Sequence, residues 1–314
     1  IFKREEFADR LGISSYKLDQ ILQDIAYDAD SINVDFSYYL DATNSWRKPL
    51  VRLDADTYFC LDGRMEGYAF YEAMFQIIFA RYGTVFSKYQ GERLEEMVYQ
   101  MFRKKHFPYI TGQYLPDGDL PERNCDMILE GSERVMFVEI KKCPLPGSYE
   151  QADDVDVLKT LGEGMLYAQE QILWHKLRLK EKGALVLYDK ERNYLQDYTP
   201  GKKKIIAMSI CMPEYDFLTD RMMTETFLES TLRVTYHAID PSREKVLNKL
   251  NKRAANIQMV TARLFAGEKY TTRDVFFDSM FRSLQQVWTM LRMCDSLDMF
   301  LDCLLYTSPS PRDA

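Results

Sequence analysis

Two carboxylates and a lysine stand within a stretch that has the pattern of two apolar strands around a turn. The stretch covers residues 124–142, turns near Gly131, and carries Asp126 in its first half and Glu139 and Lys141 in its second. Charged side chains among strand residues carry a desolvation cost, so they are candidates for chemistry. Glu139 and Lys141 share one sheet face because side chains alternate along a strand. Two carboxylates and an ammonium on one face suit a hard divalent cation and an activated water.

The length of the turn decides whether Asp126 joins that face. A two-residue turn makes Asp126 the diagonal neighbour of Glu139, and a four-residue loop places the two directly opposite. A three-residue loop would separate them across the sheet unless a bulge intervened. The hairpin alone is equally compatible with an edge hairpin whose charges are solvated.

The elements around the hairpin give it a context. Upstream, the segment Gly91-Glu92-Arg93-Leu94-Glu95 opens an amphipathic helix, and residues 109–115 have the pattern of a strand. Downstream come a long helical stretch and the apolar run 184–188, which we expect to be a strand parallel to that of Glu139 through a right-handed crossover. The order is helix, strand, hairpin, helix, strand.

With this order, residues 87–212 resemble the PD-(D/E)XK nuclease superfamily, which has the restriction-endonuclease-like fold. Asp126 matches the aspartate of that motif, and the Glu-x-Lys part is matched by the tripeptide from Glu139 to Lys141, although Cys125 stands where proline is common. The glycine and the glutamate of the first-helix motif are matched by Gly91 and Glu95.

The resemblance implies an α/β fold, a restriction-endonuclease-like mixed sheet flanked by helices, with helical N- and C-terminal regions. It implies metal-dependent hydrolysis of DNA phosphodiester bonds, with RNA not excluded, in defence or mobile-element biology. Mg²⁺ or Mn²⁺ would be held by Asp126, Glu139, the backbone carbonyl of Ile140, and Glu95. Lys141 would orient or help deprotonate a water. The alternatives are a DNA-binding regulatory or scaffold protein on a catalytically inactive nuclease-like fold, and a purely structural interaction protein.

Composition limits the partners. The chain has 314 residues and a formal net charge of −7, so any DNA contact needs a local basic patch. Six cysteines without a Cys-x-x-Cys pair fit a reducing cytoplasm. The histidines are scattered, which disfavours a histidine-based zinc site, and no apolar run is long enough for a membrane helix. A homodimer or a partner in a defence complex is compatible with these properties.

Residues 1–28 have the spacing of a helix-turn-helix, with two short helices joined at Gly12. A serine at 14 or 15 could cap the second helix. If that helix binds DNA, four side chains would face the groove: Ser15, Tyr16, Lys17 and Gln20. The same spacing also serves helical hairpins that do not contact DNA.

Residues 29–86 are predicted to be a connector with a hairpin around Asp54 and an apolar helix over 67–82, followed by a separate helix over 89–105. In the long helix after the hairpin, Gly162 and Gly164 indicate either close packing on the sheet or a kink. Gln169 could assist the site or be an exposed glutamine. The lysines at 202–204 could form a solvated turn or hold phosphates.

Residues 213–302 have a helical pattern, with one helix starting at Asp240-Pro241 and another running from about Thr272 toward Leu301. Residues 303–314 resemble a translated sequencing adapter. We expect that tail to be disordered or weakly packed.

Overall fold

The protein is a mixed α/β structure. The computed structural model describes residues 1–37, 48–60, 66–143, 153–276 and 279–306. The chain divides into two units, Ile1–Gln90 and Gly91–Ala314. Within the described residues, no helix is long and apolar enough to cross a membrane.

The first unit contains two short helices and a small sheet with strand order β1-β4-β3-β2. Its elements are β1 (Phe2–Lys3), α1 (Arg4–Leu11), α2 (Ser15–Ile25), β2 (Ala26–Asp28), β3 (Leu50–Arg52) and β4 (Thr57–Cys60). The predicted pair of helices joined at Gly12 is confirmed: Gly12 has φ 63°, and the Ser14 hydroxyl accepts a hydrogen bond from the backbone N–H of Lys17. The predicted hairpin around Asp54 is also present, as β3 and β4. Asp54 accepts a hydrogen bond from the N–H of Asp56, as expected of a turn aspartate.

Helix α3 (Glu66–Lys104) contains both of the helices predicted over 67–82 and 89–105. The two predicted helices follow each other within α3 and are separated by a kink at Gly83, which has non-helical dihedral angles of φ 55° and ψ −133°. This left-handed φ is tolerated because glycine has no Cβ. The break therefore lies at Gly83, inside the stretch that separates the two predicted helices.

The second unit is built on a seven-stranded mixed sheet of order β11-β10-β7-β6-β5-β8-β9. Its strands are β5 (Ile110–Tyr114), β6 (Arg123–Glu130), β7 (Arg134–Lys141), β8 (Leu185–Tyr188), β9 (Tyr194–Tyr198), β10 (Lys204–Cys211) and β11 (Ser279–Ser283). The neighbours β7, β10 and β11 are parallel, and the remaining pairs are antiparallel.

Helices cover both faces of this sheet. After α3 they are α4 (Asp154–Leu161), α5 (Tyr167–Lys182), α6 (Arg221–Thr231), α7 (Glu244–Leu264), α8 (Thr272–Phe276), α9 (Leu284–Met293) and α10 (Leu297–Tyr306). One face packs on the C-terminal part of α3 and on α9 and α10, through residues such as Val98, Val138 and Phe300. Alternate strand residues, such as Phe137, pack on the other side against Ile172 of α5.

Four residues separate the last paired residue of β6 from its partner on β7. Glu130 pairs with Val135, and the N–H of Gly131 donates to the carbonyl of Arg134 across the loop at 2.9 Å. The assigned pairs end at Met127 and Val138, and the same register continued by one residue sets Asp126 opposite Glu139. This register is the one expected for a four-residue loop, the longer of the two predicted loop lengths that keep both carboxylates on one face.

Two strand predictions were wrong. The run 184–188 forms β8, but β8 is antiparallel to β5 and is not a neighbour of β7; the parallel neighbour of β7 is β10. The alternating burial of β8 fits an antiparallel strand with one half-covered face. The predicted helix over 272–301 is interrupted by β11, whose five residues are all buried, so its sequence shows no alternation.

The long stretch after the hairpin is helical but irregular. Between α4 and α5 lies one π-helical turn, Gly162–Leu166, which contains both glycines. A Cβ at Gly162 would approach the Leu250 side chain to 2.8 Å, and one at Gly164 would approach the Cys143 sulfur to 3.0 Å. The glycines therefore serve both a helix irregularity and close packing, although the close neighbours are α7 and residue 143, not the sheet.

Other predictions have mixed outcomes. Asp240, predicted to start a helix, caps a 3₁₀ turn, Pro241–Arg243, that leads into α7, and Asp153 caps α4. Residues 303–306 belong to α10, and Leu304 is buried in the core, so this part of the expected tail is packed. The rest of that tail, 307–314, lies outside the described residues, as do residues 144–152.

Candidate active site

The carboxylates of Asp126 and Glu139 converge on a single cation, the ammonium of Lys141. Lys141 Nζ lies 3.2 Å from Asp126 Oδ2 and 2.8 Å from Glu139 Oε2. The pairing of β6 with β7 accounts for this placement, because it brings the two carboxylates together at the C-terminal end of β7, where the lysine lies two residues further along.

The ionised form of Asp126 is less stabilised than that of Glu139. Its Oδ2 accepts a hydrogen bond from the N–H of Ile140 at 2.9 Å, and its backbone carbonyl accepts one from the Tyr99 hydroxyl at 2.9 Å. Burial, and then the negative charge of Glu139, raise the pKa of Asp126 to about 7, although Lys141 opposes the shift. At neutral pH and without a metal, Asp126 is therefore divided between its protonated and ionised forms.

Glu139 is fully buried and ionised. Burial by itself would raise its pKa, but the ion pair with Lys141 and the hydrogen bond from His175 outweigh burial and hold that pKa below its usual value. His175 Nε2 lies 3.0 Å from Glu139 Oε1. Both carboxylate oxygens of Glu139 thus have a donor.

His175, also fully buried, connects Glu139 to Tyr114. The Tyr114 hydroxyl lies 3.0 Å from His175 Nδ1. An ionised carboxylate only accepts hydrogen bonds, so His175 Nε2 carries the proton that it donates to Glu139. In a neutral imidazole Nδ1 is then the acceptor, and Tyr114 donates to it. This chain of hydrogen bonds sets the orientation of the Glu139 carboxylate, in the way that outer partners orient metal ligands.

Lys141 is protonated in this arrangement. Burial would lower its pKa, but the carboxylates of Glu139 and Asp126 outweigh burial and raise it above the usual lysine range. The ammonium also lies 5.2 Å from the ring centre of Tyr167, the first residue of α5. In the absence of substrate, Lys141 can therefore act as a positive charge and hydrogen-bond donor, but not as a proton acceptor.

Glu95 approaches the same cluster from α3. Its side chain is half-buried; burial raises its pKa, while Lys190 and Lys141 lower it and Glu139 raises it. The structure thus brings Asp126, Glu139 and Lys141 together, and Glu95 lies close enough for the charges of Lys141 and Glu139 to shift its pKa. The carbonyl of Ile140 lies on the same edge of β7 as its N–H, which faces Asp126, because both groups of a strand residue point the same way.

The donors present fit a hard cation of the magnesium type. Mg²⁺ is usually bound by one or two carboxylates and keeps several waters. Asp126 and Glu139 supply two carboxylates whose oxygens both lie within hydrogen-bond distance of one cationic atom. Among the described residues, no three or more His, Cys, Asp or Glu side chains form a group that could hold an ion. A carboxylate pair, with the Ile140 carbonyl on the same edge, suits Mg²⁺ or Mn²⁺ better than zinc, and Glu95 does not form a three-carboxylate group with this pair.

Two other predicted contributors lie away from the site. Lys204 pairs with Arg134 at the start of β7, about 17 Å along the strand from Glu139, so the lysines at 202–204 are a turn at the far end of the sheet. The Gln169 side chain accepts a hydrogen bond from Ser279 on β11, which is separated from β7 by β10.

Sequence reasoning missed His175, Tyr114 and Tyr167. The signal for His175 was a lone histidine on the apolar face of the helix that crosses the sheet, a position where a buried imidazole needs hydrogen-bond partners. Neither tyrosine carried a comparable signal, because each is brought to the site by tertiary packing.

Comparisons with protein-family models, with curated proteins and with solved structures found no match for this chain.

Proposed function

We propose that this protein is a metal-dependent nuclease that hydrolyses DNA phosphodiester bonds. The observation that carries the proposal is the convergence of Asp126 and Glu139 on Lys141 at the end of a buried hairpin. The order of helix, strand, hairpin, helix and strand around these residues supports the resemblance to the PD-(D/E)XK superfamily and to its restriction-endonuclease-like fold.

Asp126, Glu139 and the carbonyl of Ile140 would hold Mg²⁺ or Mn²⁺, and Glu95 would complete the set of ligands. When bound, the ion polarises the scissile phosphate and lowers the pKa of a water. His175 and Tyr114 keep Glu139 ionised and oriented for this task. Lys141, already protonated, would donate a hydrogen bond to the attacking water or to the phosphate and offset the phosphate charge.

Cleavage of supercoiled plasmid tests this function. Wild-type protein should cut plasmid in Mg²⁺, EDTA should stop the reaction, and Asp126→Ala should be inactive because it lacks a metal ligand. The control is Arg233→Gln, which changes an exposed arginine on the segment after α6 and should cut at the wild-type rate. Cleavage that persists in EDTA or in Asp126→Ala would refute the proposal.

The second candidate is a DNA-binding role of the first unit, favoured by the exposed face of α2. Ser15, Tyr16, Lys17 and Gln20 are all exposed, as the helix-turn-helix spacing predicts for residues that enter a groove. Such a unit could serve either a nuclease or a DNA-binding scaffold.

Lys17→Ala should weaken DNA binding measured in Ca²⁺ by fluorescence anisotropy and leave the rate of bound-substrate cleavage unchanged. Deletion of residues 1–26 would be less informative, since it removes β1 and both helices from the core of the unit. Arg10→Ala, which removes an exposed positive charge from α1, is the matched control. If Lys17→Ala and Tyr16→Ala both bind DNA as wild type does, α1 and α2 are packing elements only.

A further inference from the structure

A second charged cluster lies beside the candidate active site, around the buried carboxylate of Glu170 on α5. Asn256 Nδ2 donates to Glu170 Oε1 at 2.9 Å, and Arg253 NH1 lies 3.3 Å from Oε2. Arg123, at the start of β6, approaches the same carboxylate at 3.8 Å. The Glu170 side chain is 5% exposed, whereas those of Arg253 and Arg123 are 22% and 29% exposed. Solvent therefore reaches part of each arginine side chain but hardly reaches the carboxylate.

Neither arginine uses all its donors. In the described part of the chain, the Nε atoms of Arg123 and Arg253 are buried and donate to no acceptor. A buried N–H without an acceptor is costly, and an oxygen supplied by a ligand would remove the cost. A guanidinium presents Nε and a terminal nitrogen as a planar fork that matches two oxygens of a phosphate. Each arginine thus has a donor that the described residues leave unused.

Tyr167 connects this cluster to the catalytic lysine. The guanidinium carbon of Arg253 lies 3.7 Å from the ring centre of Tyr167, and Lys141 Nζ lies 5.2 Å from the same ring centre. The ring of Tyr167 thus lies within cation–π distance of both Arg253 and Lys141. The π-helical turn Gly162–Leu166 directly precedes Tyr167, and such irregular turns are frequent at functional sites.

The charges around Glu170 do not cancel. Two guanidiniums face one carboxylate, so this cluster carries one net positive charge. A chain with a net charge of −7 needs such a local excess to hold a polyanion.

We propose that Arg253 and Arg123 bind a phosphodiester group of the DNA strand next to the one that Lys141 faces. The site is a backbone contact that positions the strand and reads no sequence. The assignment of DNA as the ligand rests on the proposed function, whereas the location of the phosphate site rests on the two arginines alone.

The obvious variant, Arg253→Gln, would leave Glu170 with fewer partners and could destabilise the fold. The test therefore uses Glu170→Gln as the background, in which no buried carboxylate needs a counter-ion. Into it are introduced Arg253→Gln, Arg123→Gln and, as the control with the same change of charge, Arg233→Gln. Binding of a fluorescein-labelled single-stranded DNA is followed by anisotropy in Ca²⁺ over a series of salt concentrations, and each variant is checked by thermal unfolding.

Glu170→Gln should bind at least as tightly as wild type, because both guanidiniums are freed. Adding Arg253→Gln or Arg123→Gln should weaken binding about tenfold, the effect of one charge-assisted hydrogen bond. The slope of log affinity against log salt should also fall by about 0.7 for each phosphate that the variant no longer neutralises. Arg233→Gln should change neither the affinity nor the slope.

Unchanged affinity and slope in both double variants would overturn the proposal, because the arginines would then be counter-ions of Glu170 only. Competition by inorganic phosphate at concentrations similar to those of the DNA would overturn the assignment to a strand. The proposed nuclease function fails separately: a wild-type protein that binds the DNA without cutting it in Mg²⁺ refutes the function, while the comparison of the arginine variants still decides the phosphate site.

Discussion

Glu139 depends on His175 for one of its two hydrogen bonds, and this bond has no access to solvent. Partners behind metal ligands commonly change metal affinity or activity by about 10–100-fold when they are removed. We expect His175→Ala to weaken Mn²⁺ binding and to slow cleavage by a factor in that range. His175→Gln should recover part of both, because its amide can donate to Glu139 as Nε2 does.

Calorimetric titration with Mn²⁺ distinguishes a role of His175 in orienting Glu139 from a role in packing alone. Tyr114→Phe provides the comparison, since it removes the donor to His175 Nδ1 but retains the ring and the donor to Glu139. Its effect should be smaller than that of His175→Ala. A folded His175→Ala protein with wild-type Mn²⁺ affinity and cleavage rate would show that the imidazole only fills space.

Asp126 should make the metal-free protein less stable as the pH rises toward neutrality. Its pKa is about 7 in the folded protein, against about 4 in an unfolded chain. The folded state therefore holds a proton that the unfolded state has lost, and this contribution to the free energy of unfolding is complete below about pH 4 and disappears as the pH rises through about 7.

Asparagine cannot ionise, so Asp126→Asn should gain stability relative to wild type as the pH increases from about 4 to about 7. Urea unfolding of both proteins in EDTA at several pH values measures this difference. A difference that stays constant, or that shrinks with rising pH, would mean that Asp126 is ionised throughout. Added Mg²⁺ should reduce the difference, because the ion favours the carboxylate form.

The elements that the sequence predicts well are those with a strong local signal. The hairpin carrying Asp126 and Glu139 has two apolar runs around a turn, although six consecutive residues of β7 are buried. Its charged residues share a face because side chains alternate along a strand, for either of the two turn lengths that allow it. Strand β11 could not be predicted because its apolar residues Met280 and Phe281 fit the helical spacing that continues through Leu284 and Val287 of α9. Both β8 and β10 are apolar-rich, and no local pattern encodes which of them lies beside β7.

Gly162 provides a test of the π-helical turn. In a regular helix, replacing glycine by alanine stabilises by about 1 kcal/mol. At Gly162 the new methyl would meet the Leu250 side chain at 2.8 Å, and Leu250 is buried. Overpacking of this kind costs about 1–3 kcal/mol, so Gly162→Ala should lower the free energy of unfolding.

Gly91 is the matched control, because it lies inside α3 and a Cβ there would be 4.0 Å from Cδ of Lys142, which is an ordinary van der Waals distance. Gly91→Ala should therefore raise the free energy of unfolding by about 1 kcal/mol. Chemical denaturation of the two variants should give shifts of opposite sign. A stabilised Gly162→Ala protein would mean that the turn can relax away from α7.

The groups that we propose to act on DNA lie in both units of the protein. The second unit holds the carboxylates, the lysine and the arginine pair, while the first presents the exposed face of α2. Binding to DNA should weaken with added salt because phosphate contacts release counterions, and the net charge of −7 restricts these contacts to local basic groups.

The proposed nuclease chemistry requires that Lys141, held by Asp126 and Glu139, faces the reacting phosphate. Lys142 is the internal control: it is the next residue along, and its stem lies near Gly91 of α3, whereas Lys141 lies near Tyr167. The decisive measurement is single-turnover cleavage by Lys141→Ala and Lys142→Ala in Mg²⁺, with DNA binding measured in Ca²⁺. Lys141→Ala should cut about 10²–10³ times more slowly than wild type with little change in binding, as expected for loss of one preorganised donor in the transition state. Lys142→Ala should cut at nearly the wild-type rate. A silent Lys141→Ala beside an active wild type would place the chemistry elsewhere in the chain.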